Sequence, residues 1–169
     1  MKILITSDTH GSHRNLDIAL AQMKPIDMFI HLGDHEDGLE YMNEIVDCEK
    51  HMIRGNNDFF SRLPKDKEFF IGTKKVFMTH GHEYGIWSNL DRLIRAGEER
   101  KADIIMFGHA HTPHLEVRSD ITVLNPGSIS YPRQIGRLST FILMEMDSSG
   151  NIEYGLYQLM DNKVYLNIH

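Results

Sequence analysis

Short apolar runs and helical stripes alternate through the first two-thirds of the chain. Residues 2–7 (KILITS) and 27–31 (DMFIH) read as strands buried on both faces, and residues 51–54 and 103–107 as two more. Between them the period lengthens. Over residues 13–23, Leu16, Ala19, Leu20 and Met23 fall on one helix face, with Ser12 placed to cap it. Residues 36–46 put Leu39, Met42 and Val46 on one side, and residues 88–100 turn Leu90, Leu93, Ile94 and Gly97 inward. Gly72-Thr73 separates strand-like residues 68–71 from 74–79 and predicts a hairpin. After Pro113 only strand patterns remain, over residues 114–118, 121–124, 138–147, 152–160 and 163–168. That end is expected to be antiparallel. The whole predicts an α/β sandwich, two sheets packed together with helices outside.

A chain of 169 residues is expected to form one domain, spanning 1–169. With 41% hydrophobic and 25% charged residues its composition is that of a soluble globular protein. No apolar run approaches the ~20 residues of a membrane span. The opening MKILITSDTH turns polar too soon for a secretory signal. The single Cys48 has no partner within the chain, so a reduced, cytoplasmic location is expected. A net charge of −6 with no basic stripe argues against long nucleic acids as partners. Phe141, Ile142 and Leu143 read equally as core or as an edge contact, so a homo-oligomer stays open.

The 11 histidines change the picture, because many stand beside Gly and Asp. Five apolar runs end in loops that carry Asp8 and His10, Asp34, Asn56 and Asp58, His80 and His82, and His109 and His111. Each loop alone reads as a turn, a helix cap or a surface pair. Together they offer carboxylate, amide and imidazole donors without thiolates, a set suited to Mn, Fe or Zn. Asp8, His10, Asp34, Asn56, His80, His109 and His111 exceed the four ligands of one tetrahedral zinc. They suit two metals sharing a carboxylate, for which Asp34 is the natural bridge. Two such ions ~3.5–4 Å apart clamp a phosphate and polarise a shared hydroxide for in-line attack.

Asp8-x-His10, Gly33-Asp34, Gly55-Asn56-x-Asp58, His80-Gly81-His82 and Gly108-His109-x-His111, in this order, resemble the motifs of calcineurin-like metallophosphoesterases. Asn125-Pro126-Gly127-Ser128, then Tyr131-Pro132-Arg133, and the short length resemble the small YfcE-like phosphodiesterase subgroup. The resemblance implies a four-layer αββα sandwich of two mixed β-sheets flanked by helices. It implies a first metal on Asp8, His10 and His111, a second on Asn56, His80 and His109, and Asp34 between them. Mn is the usual activator, with Ni, Fe or Zn as alternatives. The implied activity is hydrolysis of a small phosphodiester by a metal-bound hydroxide. Asp34, His10, Asn57 and His82 are the catalytic candidates, and Asn57 and Arg133 the substrate contacts.

Asn57 is a departure, since many relatives carry His there. An amide donates a hydrogen bond but not a proton, and losing general acid catalysis forfeits ~10²–10⁴-fold. The subgroup often lacks this His as well. A weakly active metal-binding scaffold and a phosphomonoesterase are the competing readings. Asp58 is expected to orient a loop or a ligand, and His31 to pack inside its strand. Trp87, Tyr84 and Phe59 are candidates for the pocket wall. His13, His35, His51, His114 and His169 are expected to face solvent or pack locally.

Overall fold

Alternation along the strands decides the architecture. In β1 (Lys2–Thr6), Ile3 and Ile5 point to one side and Leu4 to the other, and all three are fully buried. Such a strand needs a packed layer on each face. Ile3 and Ile5 join Met28 and Ile30 of β2 (Met28–His31), Val76 and Met78 of β5 (Lys74–Thr79), and Ile104 and Met106 of β6 (Ile104–Phe107). Leu4 and Phe29 pack instead with Leu16, Ala19 and Leu20 of α1 (Arg14–Met23) and Met42 of α2 (Leu39–Ile45). Phe77, Ile105 and Val123 cover Leu93 and Ala96 of α3 (Asp91–Glu99). Three apolar interfaces thus separate helices, sheet, sheet and helix. This is the α/β sandwich expected from the sequence. The computed structural model describes residues 1–168, so the expectation for His169 lies outside them.

One sheet has the order β11-β10-β9-β1-β2-β3, with β3 Glu49–Met52, β9 Ser139–Met146, β10 Ile152–Met160 and β11 Lys163–Ile168. The other runs β4-β5-β6-β8-β7, with β4 Asp66–Ile71, β7 His114–Val117 and β8 Thr122–Asn125. Both sheets are mixed. β1, β2 and β3 are parallel, as are β5, β6 and β8. The expected antiparallel pairing holds for β7 with β8 and for β9 through β11. These strands nevertheless divide between the two sheets, and β8 runs parallel to β6. Phe141, Ile142 and Leu143 are buried core residues.

Some local expectations change. His13, not Ser12, occupies the cap position of α1, and no side chain caps it. Ser12 closes a turn instead, its N–H donating to the Thr9 carbonyl at 2.8 Å. The helix expected over 36–46 divides into a 3-10 turn, Glu36–Gly38, and α2, and the left-handed backbone of Glu36 (φ 52°) keeps the α-helix from starting there. The helix expected over 88–100 starts at Asp91. β3 ends at Met52, its register fixed by pairing of Met28 with Glu49. Among the described residues no helix is long and apolar enough to cross a membrane.

Candidate metal centre

The loops that leave β1, β2, β5 and β6 converge at one edge of the sandwich. Asp8, His10, Asp34, His109 and His111 all take left-handed backbone conformations, with φ of 56°, 44°, 54°, 65° and 55°. Such conformations cost about 1–3 kcal/mol per residue and persist only where the surroundings hold them. Here a hydrogen-bond net does so. Asp8 N–H donates to the Gly33 carbonyl at 3.1 Å and His10 N–H to the Asp34 carbonyl at 2.9 Å. Ser128 Oγ donates to the Asp8 carbonyl at 2.8 Å, and Asn125 Nδ2 to the Gly108 carbonyl at 2.8 Å. The Asn125–Ser128 loop therefore fastens the first loop to the last.

Six of the seven ligand candidates form two groups that share Asp34. Asp8, His10, Asp34 and His111 make one, and Asp34, His80 and His109 the other, each with its donor atoms within 4.8 Å of one another. His80 Nε2 lies 3.3 Å and His10 Nε2 3.7 Å from Asp34 Oδ2. His10 and His111 face each other, Nε2 to Nε2, at 3.2 Å. The outer nitrogens are tied back. Nδ1 of His80 meets the Leu32 carbonyl at 2.6 Å, Nδ1 of His111 the Tyr131 carbonyl at 2.6 Å, and Nδ1 of His10 the Glu36 carboxylate at 2.8 Å. An oxygen acceptor keeps the proton on Nδ1 and leaves the Nε2 lone pair aimed inward, the arrangement of metal-binding histidines. Asp8 Oδ1 and His80 Nε2 are buried and make no hydrogen bond. Inward carboxylate oxygens and imidazole nitrogens, two of them buried without a partner, fit divalent cations.

Electrostatics point the same way. Burial opposes ionisation of Asp8, but His111, His80 and the Ser7 hydroxyl outweigh it and hold the carboxyl below its ordinary value. Burial likewise opposes ionisation of Asp34, and His80 with the N–H groups of Asn57 holds it well below the ordinary carboxylate range. Burial and the neighbouring His80 push His109 down to about 4. Burial opposes charging of His80, but Asp34 and Asp8 outweigh it and raise its value, so this imidazole offsets part of the carboxylate charge that a cation would neutralise.

Residues 1–149 match the sequence model of the calcineurin-like phosphoesterase superfamily domain. The chain belongs to this superfamily. It is 34% identical over 149 residues to the Probable metallophosphoesterase YsnB of Bacillus subtilis (strain 168), covering 88% of this chain and 86% of that protein. A conserved protein of Streptococcus pneumoniae TIGR4, described as a predicted phosphoesterase, superposes with a TM-score of 0.79 at 26% identity, over 98% of this chain and 97% of that one. Vps29 of Entamoeba histolytica, solved with zinc, shares the fold at a TM-score of 0.82 and 22% identity, over 99% and 97% of the two chains.

Asn56 is exposed on the loop after β3, next to Asn57. Asn57, expected to face the phosphate, gives its backbone N–H to Asp34 Oδ1 at 2.8 Å and one amide proton to Asp34 Oδ2 at 2.6 Å. Its first task is to hold Asp34. Asp58 orients two loops, accepting from Asp34 N–H, Gly55 N–H and Glu36 N–H at 2.8, 2.7 and 2.6 Å. The His82 ring lies 5.5 Å from that of His80, and burial together with His80 keeps it below the ordinary imidazole value. His82 is therefore neutral at pH 7 and a poor proton donor there. Arg133 lies over the Trp87 ring at 5.6 Å, and Trp87 Nε1 donates to His109 Nε2 at 3.3 Å, so both border the site. Phe59 is exposed beside Asn57, whereas Tyr84 packs with the α3 core and donates to Asp66 at 3.2 Å. His31 is buried in β2 between Thr9 and Gly33 N–H, and burial with the nearby His35 pushes it down to about 3. His13 and His51 stack on Tyr41 and Phe69, and His35 donates to the Glu36 carbonyl. Glu36 and Ser128 are functional residues the sequence reading assigned to a helix and a loop; the only signal for Glu36 was its position two after Asp34.

Proposed function

We propose that this phosphoesterase hydrolyses small phosphodiesters with the help of two divalent metal ions. Asp8, His10 and His111 would hold one, Asn56, His80 and His109 the other, with Asp34 between them. Mn is the expected ion, with Ni, Fe and Zn as alternatives. One observation carries the reading. Three imidazoles have Nδ1 tied to an oxygen while Nε2 faces the carboxylates. Bound ions of this kind neutralise phosphate charge and bring the pKa of water toward neutrality.

The chain's own residues do the rest. Asn57 fixes Asp34 with one amide proton, and its second is free to reach a phosphoryl oxygen. Arg133 offers a guanidinium fork to another such oxygen. His10 borders both the ligand group and the solvent-facing cavity. No cationic imidazole is available for the leaving group at Asn57 or His82, so diesters of acidic alcohols and phenols should turn over fastest. The retained inward donors favour chemistry over a purely scaffolding role. Acting in a reduced, cytoplasmic setting is part of the same reading.

The test is hydrolysis of bis-p-nitrophenyl phosphate by chelator-treated protein. Activity is expected to return with Mn and to fall at least about 100-fold in Asp8→Ala and His109→Ala, with unchanged circular dichroism. Full activity in either variant, or none in the wild type with Mn, Ni, Fe or Zn, would sink the proposal. A higher kcat/KM on p-nitrophenyl phosphate would move the assignment to a phosphomonoesterase.

A further inference from the structure

A cavity of about 930 Å³ opens directly from the ligand group, with His10 and His111 forming its inner wall. Its outer wall is Tyr131, Arg133 and Arg137, and Glu36 stands at its side. The segment that carries these residues is fastened to the site. Arg133 N–H donates to the His111 carbonyl at 3.0 Å, and the Tyr131 carbonyl accepts from His111 Nδ1 at 2.6 Å. Arg137 closes the following turn, its N–H on the Gln134 carbonyl at 3.0 Å, in a left-handed conformation (φ 47°).

Charge gives this wall its character. The chain carries 24 Asp and Glu against 18 Lys and Arg. Yet no salt bridge from Arg133 or Arg137 to a carboxylate occurs among the described residues. The one carboxylate in the cavity, Glu36, is already engaged by His10 Nδ1 at 2.8 Å. Arg133 lies over the Trp87 ring at 5.6 Å, and Arg137 adds a second guanidinium beyond it, more than a diester needs, because a diester has one negative charge and faces the ligand group already. Each guanidinium is shaped to take two oxygens of a phosphate. Tyr131 is 52% exposed, stands edge-on to His10 at 5.4 Å, and offers a flat apolar surface in the same cavity as the arginines.

We propose that this cavity selects a nucleotide-type phosphodiester bearing a second phosphate group, which Arg137 binds while Arg133 serves the phosphate being cleaved and Tyr131 lies against the nucleoside. The inference rests on the phosphodiesterase reading and names its substrate class.

Two p-nitrophenyl esters of thymidine 5′-phosphate test it, alike except that one also carries a 3′-phosphate. Both release the same chromophore from the same kind of ester. The wild-type protein with Mn is expected to give a kcat/KM about tenfold higher for the 3′-phosphorylated ester, the scale of one charge-assisted hydrogen bond. In Arg137→Ala this ratio is expected to fall toward one, chiefly through KM. Adenosine 3′,5′-bisphosphate should inhibit the wild type more strongly than adenosine 5′-monophosphate, and Arg137→Ala should lose that difference. Hydrolysis of bis-p-nitrophenyl phosphate with a ratio near one in the wild type overturns the substrate class and leaves the phosphodiesterase reading standing. A ratio that survives in Arg137→Ala overturns the role of this wall. Hydrolysis of none of the esters overturns both.

Discussion

Glu36 accepts a hydrogen bond from His10 Nδ1–H at 2.8 Å while its own N–H donates to Asp58 at 2.6 Å. A carboxylate in that position sets the tautomer and orientation of the imidazole, and losing such a partner costs about 10–100-fold in metal affinity. Mn titration of Glu36→Ala followed by electron paramagnetic resonance should show a loss of that size, and Glu36→Gln a smaller one, since its amide oxygen still accepts. Equal affinities in wild type and Glu36→Ala would mean that Glu36 does not position His10. At this scale the sequence displayed the histidines and aspartates clearly, because they sit two apart after apolar runs. It did not display Glu36, and it showed Ser128 only as the end of the Asn125–Ser128 motif, without its bond to Asp8. Their partners are 26 and 120 residues away, and a polar residue in a loop reads equally well as a turn. Asn57 was visible as a departure, but its bonds to Asp34 depend on two loops meeting.

Those loops meet because glycines stand where their backbones cross. A Cβ on Gly55 would come within 2.2 Å of Asp34 Oδ1 and 2.6 Å of Asp34 N, and one on Gly33 within 2.7 Å of Gly55 N. Gly55→Ala must therefore displace Asp34, the residue common to both ligand groups. Its expected effect is a loss of Mn-dependent activity of about 100-fold or more, the scale that misplacing a reacting group by ~1 Å carries. Gly136→Ala has open space around it, though its φ of 83° disfavours a side chain, and serves as a loop control with small effect on kcat. Comparable kcat in wild type and Gly55→Ala would contradict the close approach. Elements themselves were legible where burial forces continuous apolar runs, as in β1, β2 and β6. Their ends were less so. The late start of the helix in 36–46 follows from the left-handed Glu36, and the limits of β3 from pairing with β2, neither of which a local pattern encodes.

At the scale of the whole molecule, three apolar interfaces hold two sheets so that parallel strands from both deliver their loops to one edge. β1 and β2 bring Asp8, His10 and Asp34 from one sheet, and β5 and β6 bring His80, His109 and His111 from the other. The centre thus exists only while the sandwich is closed. The sequence carried the layer order, through residues buried on both faces, but not the allotment of the last five strands between sheets, which depends on pairings far apart in the chain. Two ions at this junction, with Asp34 between them, would be seen by anomalous diffraction from crystals grown with Mn. Two peaks ~3.5–4 Å apart are expected, one beside His10 and His111 and one beside His80 and His109, with Asp34 touching both. A single peak, or peaks away from Asp34, would contradict this placement.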